Sequence, residues 1–212
     1  MFIGVAGLIG AGKSTLTGSL ADQMGYKPYY EPVETNPYLA DFYQDISRWT
    51  FNMQMFLLAH RFQQHQEVVW DPAHQKGGGV VQDRTIYEDT IFARIHKDDG
   101  LMDARDYATY TSHFNIMRRY LVYPDVLVYL HVTPEQAMDR IRMRSRDVEK
   151  DIPVDYMVKL YQGYEAFAKE MERYTLVLRI DWSTYLPTEE VADRIRHIAN
   201  SNQDFVRSLR RI

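Results

Sequence analysis

The sequence predicts a doubly wound α/β fold, with a five-stranded parallel sheet covered by helices on both faces. Short apolar segments of strand length alternate along the 212 residues with longer segments of helical periodicity. Strands that are separated by helices pair in parallel, and the helices then cover both faces of the sheet. No internal repeat, low-complexity tract or linker interrupts this alternation, so we expect one domain over residues 1–212. The predicted strands are residues 1–6, 26–31, 80–83, 126–132 and 176–181.

Local sequence signals set the order of the elements. The clearest strand is residues 126–132, which is apolar and rich in β-branched side chains. Thr133 and Gln136, directly after it, have the spacing of a helix start. Ser47 is the predicted N-cap of a long helix over residues 48–69. The other predicted helical segments are residues 15–21, 86–94, 103–121, 157–174 and 188–199.

Composition excludes several classes of protein. A hydrophobic share of 45% is typical of a globular chain rather than a disordered one. The absence of cysteine excludes disulfides and thiolate metal sites, and it suits the reducing cytoplasm, where we expect the protein to reside. No apolar run reaches the ~20 residues of a membrane span, and a net charge of -4 argues against bulk affinity for nucleic acid. We therefore expect neither a membrane nor a nucleic acid as partner.

A phosphate-binding loop follows the first predicted strand. The segment Gly7-Leu8-Ile9-Gly10-Ala11-Gly12-Lys13-Ser14 fits the pattern G-x-x-x-x-G-K-[ST], and its glycines allow backbone amides to point at a bound phosphate. The pattern predicts that Lys13 reaches the β- and γ-phosphates of ATP and that the Ser14 hydroxyl ligates Mg²⁺. The fold is therefore predicted to be of the P-loop NTPase type. The predicted ATP-binding residues of this loop are Gly7, Gly10, Ala11, Gly12, Lys13, Ser14 and Thr15.

Polar side chains are predicted to gather at one edge of the sheet. Glu31, Asp83-Arg84 and Asp181 each follow a predicted strand, as the phosphate loop does, and the carboxyl ends of parallel strands meet at the same edge. Asp83 can hold Mg²⁺ directly or through water, or it can cap the following helix. Arg84 can neutralise charge on the transferred phosphoryl group, or it can pair with Asp83 or Glu88.

Glu31 separates two types of reaction. A hydroxyl acceptor loses a proton as the phosphoryl group arrives, so a kinase that acts on an alcohol benefits from a carboxylate base. A phosphate acceptor is already anionic and requires additional arginines, and Tyr29-Tyr30 before Glu31 supplies none. An exposed turn glutamate before Pro32 is an equally open interpretation of this residue.

Four arginines occupy every second position near the end of the helix that follows the fourth strand. Successive helical residues are about 100° apart, so Arg140 and Arg144 share one face, and Arg142 and Arg146 lie roughly opposite. We expect an arginine-rich lid over residues 140–152, in which Arg140 and Arg144 approach the phosphates of ATP. The alternative interpretation is a solvated basic helix end.

One stripe of the long helix combines apolar and polar residues. Phe51, Gln54, Leu58, Arg61 and His65 recur at intervals of three and four, and therefore lie on one face. Polar side chains in such a stripe are unusual unless they are paired. An amide at Gln54 can bind a nucleobase edge with two hydrogen bonds, although an exposed surface explains the pattern equally well.

Beyond the phosphate loop, four segments carry a family pattern. They are residues 31–38 (EPVETNPY), residues 49–54 (WTFNMQ), residues 83–89 (DRTIYED) and the arginine-rich lid before Ile152-Pro153. Together they resemble the deoxynucleoside kinase family, specifically its deoxycytidine, deoxyguanosine and deoxyadenosine branch and the bacterial deoxyadenosine kinases. The resemblance implies transfer of the γ-phosphoryl group of ATP to the 5′-hydroxyl of a deoxynucleoside, with Mg²⁺, in nucleotide salvage. It also implies a homodimer and feedback inhibition by the deoxynucleoside triphosphate product.

The same resemblance assigns roles to single residues. It implies that Glu31 takes the proton of the 5′-hydroxyl and that Arg84 lies near that hydroxyl. Asp83 would lie near Mg²⁺, although many relatives have glutamate at that position. Tyr43 and Glu149 would hold the 3′-hydroxyl of the sugar.

A nucleobase site and a cover for ATP are implied in the same way. Gln54 would bind the edge of the nucleobase, with Arg61 and Asp89 around it, whereas thymidine-accepting relatives have apolar residues there. This pair favours a purine or cytosine nucleoside. The likeness of residues 34–38 and 83–85 to the bacterial type favours deoxyadenosine, with deoxyguanosine and deoxycytidine still open. The loop over residues 181–187 would cover the adenine of ATP.

Other functions remain open at this point. A nucleoside monophosphate kinase of the thymidylate kinase type shares the phosphate loop and the Asp-Arg pair. It usually has arginine before Glu-Pro and glycine after it, where this chain has Tyr30 and Val33. A non-catalytic ATP-binding module would not need Glu31, Asp83 and Arg84 together. A regulatory GTPase would need an Asn-Lys-x-Asp motif, which the sequence lacks.

Overall fold

The computed structural model describes residues 1–31, 36–71, 78–144 and 152–205, and its five strands form one parallel sheet. The strand order in the sheet is β2-β3-β1-β4-β5, so the first strand lies at the centre. Every residue of β1 and β3 is buried, because helices cover both sides of the central strands. The predicted fold class is confirmed. The strands are β1 (Phe2–Gly7), β2 (Lys27–Tyr29), β3 (Val80–Asp83), β4 (Val126–His131) and β5 (Leu176–Asp181).

Helices of the described residues pack in two groups. The first and last helices contact each other, whereas the fourth contacts the third, fifth and seventh. No helix in the described ranges is long and apolar enough to cross a membrane. The helices are α1 (Lys13–Met24), α2 (Leu39–Gln44), α3 (Ile46–Trp70), α4 (Asp89–Asp98), α5 (Ala104–Met117), α6 (Pro134–Arg144), α7 (Val154–Met171) and α8 (Thr188–Ser201), with 3₁₀ turns at Ile86–Glu88 and Arg118–Tyr120.

Side-chain caps explain where two of these helices begin. The backbone N–H of Thr133 donates to Gln136 Oε1 at 3.0 Å, and that of Gln136 donates to Thr133 Oγ1 at 3.3 Å, as the sequence predicts for α6. The predicted cap of α3 is wrong. Asp45, rather than Ser47, accepts the 3.0 Å hydrogen bond from the backbone N–H of Arg48. The chain leaves helical geometry at Asp45 (φ -143°, ψ 85°), so Ser47 already lies inside the first turn.

Several element boundaries differ from the sequence prediction, and one helix is additional. Strand β2 ends at Tyr29, so Glu31 lies in the loop beyond it. Helix α2 was not predicted, because its six residues are too few to show helical periodicity. Helix α7 begins at Val154, since Pro153 has the extended backbone of an N-cap and fits directly before a first helical turn.

The sheet register brings the predicted site segments to one edge. Val5, near the end of β1, lies beside Asp83 at the end of β3, and His131 at the end of β4 lies beside Asp181. The phosphate loop follows β1 directly. The carboxyl ends of these parallel strands therefore share the edge at which ligands bind in such sheets.

Candidate active site

The phosphate loop turns sharply between β1 and α1. Gly10 has φ 81°, and a Cβ atom there would lie only 2.7 Å from the carbonyl oxygen of Ala137. Gly12, also in the left-handed region with φ 91°, directly precedes α1. The Lys13 side chain is buried, and its Nζ donates a 2.9 Å hydrogen bond to the Leu8 carbonyl. A buried cation therefore lies inside a loop at a helix N-terminus, which is an arrangement that binds phosphate.

Burial and a neighbouring positive charge lower the pKa of Lys13. Burial lowers the pKa of Lys13 from its usual 10.5 to about 8, and the positive charge of Arg84 acts in the same direction. A bound polyphosphate would supply the negative charge that favours the ammonium form. Among the other predicted loop contacts, Gly7 ends β1, Ala11 is buried in the loop, and Thr15 is exposed in the first turn of α1.

Ser14 and Asp83 form a pair of oxygen ligands beside the loop. Ser14 Oγ donates a 2.5 Å hydrogen bond to Asp83 Oδ2, and the buried Asp83 Oδ1 has no hydrogen-bond partner in the described part of the chain. Hydroxyl and carboxylate oxygens are ligands that Mg²⁺ accepts, with waters and phosphates completing the shell. The pair therefore fits a magnesium ion. The following 3₁₀ turn is capped by Thr85 and not by Asp83.

The described residues contain no metal site built from several protein ligands. Across the described ranges, no group of three or more His, Cys, Asp or Glu side chains could hold a metal ion. A cation bound between Ser14 and Asp83 would thus share its shell with ligand phosphates and water, as Mg²⁺ commonly does.

Arg84 has an unusual backbone and several acidic neighbours. Its φ of 61° is left-handed, which costs a non-glycine residue about 1–3 kcal/mol and is retained where the surroundings fix it. The buried side chain donates from Nε to Glu31 Oε2 at 3.1 Å and from Nη1 to the Tyr164 hydroxyl, and Nη1 lies 3.6 Å from Glu88 Oε2. Arg84 therefore makes the ion pair with Glu88 that was the alternative interpretation of this residue, and it also contacts Glu31.

Glu31 lies between two guanidinium groups. Arg61 Nη2 donates to its Oε1 and Arg84 Nε to its Oε2, and the side chain is 18% exposed. Burial alone would raise the pKa of Glu31, but the charges of Arg84, Arg61 and Lys13 outweigh it and hold that pKa well below its usual value. Glu31 is thus an ionised and oriented carboxylate, and the exposed-turn interpretation is wrong.

Polar residues of α3 face the interior next to Glu31. Gln54, Arg61 and His65 are all buried, which decides against the exposed-surface interpretation of this stripe. Arg61 Nη1 donates to Asp89 Oδ1 at the start of α4. Burial raises the pKa of Asp89 to about 7, although the charge of Arg61 opposes the shift.

Three buried polar atoms in this region lack a hydrogen-bond partner in the part of the chain that the structure describes. They are Gln54 Oε1, Arg61 Nε and Asp89 Oδ2. Buried polar atoms in folded proteins are almost always paired with protein or water. These unpaired atoms therefore mark a site for a polar ligand or ordered water beside Glu31.

Sequence reasoning missed one member of the cluster, Tyr164. The Tyr164 hydroxyl accepts from Arg84 and donates to Glu88 Oε2 at 2.9 Å. Burial raises the pKa of both Tyr164 and Glu88. Tyr164 is one of sixteen tyrosines and lies 80 residues from Arg84, so no spacing singles it out. Glu88, which the sequence analysis names only as a possible partner of Arg84, also forms a capping box with Thr85.

Arg140 connects α6 with the phosphate loop and the loop after β5. Its Nη1 donates to the Ala11 carbonyl at 3.4 Å, and its Nη2 donates to the Trp182 carbonyl at 2.5 Å. The guanidinium also lies 4.5 Å from the ring centre of Tyr185. Arg140, a residue of the predicted lid, therefore lies beside the phosphate loop.

Other predicted site residues lie further out or outside the described residues. Asp181 is exposed and accepts a 2.9 Å hydrogen bond from the backbone N–H of Ser183, so its carboxylate shapes its own loop. Arg144 is the exposed last residue of α6. Glu149 and the lid around it lie outside the described residues, as does the side chain of Tyr43 on α2.

Comparisons with known proteins show the family to which the chain belongs. A family model described as "Deoxynucleoside kinase" matches residues 3–207. The chain is 43% identical over 194 residues to deoxyadenosine kinase of Dictyostelium discoideum, covering 92% of this chain and 77% of that protein. It is 41% identical over 209 residues to deoxyadenosine/deoxycytidine kinase of Bacillus subtilis (strain 168), covering 95% and 94%. The solved structure of deoxyadenosine kinase from M. mycoides with bound dATP has a TM-score of 0.81 at 30% identity, covering 92% of this chain and 99% of that chain.

Proposed function

The chain belongs to the deoxynucleoside kinase family, and on that premise we propose that it transfers the γ-phosphoryl group of ATP to the 5′-hydroxyl of a deoxyribonucleoside, with deoxyadenosine preferred. The relatives at 43% and 41% identity carry the names deoxyadenosine kinase and deoxyadenosine/deoxycytidine kinase. Deoxyguanosine kinases match at 34% and 33% identity. Deoxycytidine and deoxyguanosine are therefore the alternative acceptors.

The observation that supports this proposal best is the position of Glu31. Its carboxylate is held by Arg61 and Arg84 and interacts electrostatically with Lys13 of the phosphate loop. A carboxylate at this point can accept the proton that a hydroxyl acceptor loses, whereas a phosphate acceptor has no such proton to give. The proposal therefore favours a nucleoside over a nucleoside monophosphate as acceptor.

In the proposed reaction, Glu31 takes the proton of the 5′-hydroxyl while the 5′-oxygen forms a bond to the γ-phosphorus. The bond from the γ-phosphorus to the bridging oxygen breaks, and ADP leaves with the electron pair. Lys13, Arg84 and Arg140 supply positive charge to the oxygens on which negative charge accumulates. Arg144 would join them from the lid.

Magnesium and the phosphates of ATP are assigned to the same loop. Ser14 and Asp83 would hold Mg²⁺, because Asp83 Oδ1 has no other partner among the described residues. The bound ion would neutralise charge on the β- and γ-phosphates. Asp181 and its loop would cover the adenine. The remaining residues assigned to ATP are Gly7, Gly10, Ala11, Gly12 and Thr15.

The nucleobase is assigned to the polar face of α3. Adenine and cytosine each present a ring-nitrogen acceptor beside an amino donor, and Arg61 and Asp89 offer the complementary donor and acceptor. Gln54 Oε1 adds a further unpaired acceptor. Thymine has no amino donor, so the same edge fits it less well. Tyr43 and Glu149 are proposed to hold the 3′-hydroxyl on the basis of the family resemblance.

We also assign a homodimer to the protein, as the family resemblance implies. Trp70, Ile116 and Tyr120 are 69%, 59% and 68% exposed. They lie on adjoining elements, because α3 packs against α5 and Gln66 Nε2 donates to the Tyr120 carbonyl at 3.1 Å. Exposed apolar patches of this kind are typical of protein interfaces. Light scattering should give a dimer for the parent and a monomer for Ile116→Asp.

Feedback inhibition is the regulatory part of the proposal. Solved structures of the M. mycoides relative carry bound dATP and bound dCTP. We expect dATP to lower the rate at fixed ATP and deoxyadenosine, and rising deoxyadenosine to relieve that inhibition. Inhibition by ADP alone would contradict this assignment.

The decisive experiment measures ADP release with ATP and each of the four deoxynucleosides, followed by each of the four monophosphates. The highest kcat/KM should belong to deoxyadenosine, and Lys13→Ala provides the background rate. Turnover with monophosphates alone would identify a nucleoside monophosphate kinase. ATP binding without turnover of any acceptor would identify a binding module.

A further inference from the structure

Arg61 contacts two carboxylates to which the proposed function gives different tasks. Its Nη2 donates to Oε1 of Glu31, the proposed proton acceptor, and its Nη1 donates to Oδ1 of Asp89, the proposed nucleobase contact. Resting on that proposed function, we infer that Arg61 is a positioning residue that transmits occupancy of the nucleobase site to Glu31. A nucleobase that engages Arg61 and Asp89 draws the guanidinium away from Glu31 and thereby activates the proton acceptor.

Burial of the cluster formed by Arg61, Glu31 and Asp89 leaves few alternative hydrogen-bond partners for the Arg61 guanidinium. The side chains of Arg61 and Asp89 are 5% and 1% exposed, so water competes little for either. Arg61 Nε and Asp89 Oδ2 have no hydrogen-bond partner within the described ranges, and a nucleobase edge can supply both. Among the described residues, the other charged or titratable groups that face this cluster are Lys13, Arg84, Glu88, Tyr110 and Tyr164.

Electrostatics give the direction of the effect. Two guanidinium groups in contact with Glu31 help to hold its pKa well below the usual value, and a carboxylate of low pKa is a weak proton acceptor at neutral pH. Withdrawal of Arg61 raises the pKa of Glu31, while Arg84 keeps the carboxylate oriented. With a Brønsted coefficient of about 0.5, each unit of pKa gained corresponds to a rate increase of about 3-fold.

Through this coupling, the identity of the nucleobase would affect kcat as well as KM. A sugar without the correct nucleobase leaves Arg61 on Glu31, so the 5′-hydroxyl faces a weaker proton acceptor. The correct nucleobase releases Glu31 at the moment when its own 5′-hydroxyl is in position. Specificity of this kind resembles induced fit, in which substrate binding assembles the reactive arrangement.

Carboxyl ¹³C NMR on glutamate-labelled protein tests the inference directly, with the Glu31 signal assigned from Glu31→Gln. In the parent without nucleoside, the Glu31 signal should stay in its ionised form to the lowest pH at which the protein is folded. Arg61→Met should move the Glu31 titration up by at least about one pH unit, and saturating deoxyadenosine should do the same in the parent. Asp89→Asn is the matched control, because it keeps Arg61 beside Glu31 and should leave the titration low.

Kinetics supply a second readout. At saturating ATP, kcat is compared for deoxyadenosine and for 1,2-dideoxyribose, which has the 5′-hydroxyl but no nucleobase. Arg61→Met should raise kcat on the sugar by about 3-fold or more, whereas Asp89→Asn should lower kcat on deoxyadenosine. An arginine that only binds the nucleobase would change KM for deoxyadenosine and leave kcat on the sugar unchanged.

An unchanged Glu31 titration in Arg61→Met, or in the parent with deoxyadenosine bound, overturns the inference. If Arg61→Met does not fold, Arg61→Gln replaces it, because its neutral amide also removes the positive charge beside Glu31 while keeping hydrogen-bond donors for the neighbouring carboxylates. The titration without nucleoside does not depend on the substrate. Suppose that the Glu31 titration moves up in Arg61→Met but the parent turns over no deoxynucleoside. That result would refute the proposed function and would still support the contact between Arg61 and Glu31.

Discussion

Ser14 Oγ donates a 2.5 Å hydrogen bond to Asp83 Oδ2 across 69 residues of sequence, and this bond joins the first turn of α1 to the last residue of β3. The sheet brings the two residues together, because Asp83 lies in register with Val5, two residues before the phosphate loop begins. Asp83 Oδ1 has no partner among the described residues. The two side chains therefore form part of an oxygen shell that ligand phosphates and water can complete.

Asp83→Asn should weaken activation by Mg²⁺ and leave the fold intact. The amide retains an oxygen that can accept from Ser14, but it loses the charge that attracts a divalent cation. We expect the apparent affinity for Mg²⁺ to fall by at least ~10-fold, measured by Mg²⁺ titration at fixed ATP and deoxyadenosine. The exposed Asp98→Asn is the control and should keep the parent's Mg²⁺ dependence. Parental Mg²⁺ dependence in Asp83→Asn would remove Asp83 from the metal site.

Glu31→Gln should separate binding of ATP from catalysis. Glutamine has nearly the same shape but cannot accept the 5′-hydroxyl proton, so kcat should fall by at least ~10²-fold. The dissociation constant of ATP should stay close to the parental value, as measured by calorimetry. Glu172→Gln, at an exposed position after α7, is expected to keep full kcat. Undiminished turnover in Glu31→Gln would show that another group takes the proton.

Regular features of the sequence were sufficient to predict the sheet. Alternating apolar segments gave the five strands, and the capping pattern at Thr133 gave the start of α6. Weak local signals caused the errors. Ser47 and Asp45 are both good N-cap residues, and only the backbone geometry distinguishes them. Helix α2 has too few residues for a periodic pattern to be visible.

The sequence is sufficient to predict the positions of site residues at strand ends. It is not sufficient for site residues whose positions depend on helix packing. Parallel pairing alone predicts that Asp83 lies near the phosphate loop. The contact of Arg61 with Glu31 depends on how α3 lies across the sheet, which periodicity does not encode. The same holds for Tyr164, which reaches Arg84 from α7. The sequence gives the face on which Arg61 lies, but its partner is decided by tertiary packing.

Arg140→Ala should weaken ATP binding. The Arg140 guanidinium donates to the carbonyls of Ala11 and Trp182, so its loss frees the loop after β5 from the phosphate loop and removes a cation near the phosphates. We expect KM for ATP to rise by about 10-fold, as is usual when a charge-assisted contact of roughly 1.4 kcal/mol is lost, with a smaller change in KM for deoxyadenosine. Steady-state kinetics with each substrate varied in turn provide the measurement.

Arg142→Ala is the matched control for this effect. Arg142 lies on the other side of α6, is 64% exposed and pairs with Asp139 at 3.0 Å. Its removal takes away the same charge from the same helix without touching the contacts of Arg140. Equal rises of KM for ATP in both variants would indicate a general effect of basic charge on α6 and would contradict the specific role of Arg140.

His96→Phe should reduce the loss of stability in mild acid. Burial lowers the pKa of His96 to about 4, whereas in the unfolded chain it is about 6.5. Between these values the unfolded chain binds more protons, so the contribution of neutral His96 is complete above pH 6.5 and declines as pH falls, by up to about 3 kcal/mol. Phenylalanine keeps a ring against Phe42 and Tyr156 but cannot titrate. Urea unfolding from pH 4.5 to 7 should therefore show a shallower pH slope in His96→Phe than in the parent. Equal slopes in the two proteins would contradict the assignment.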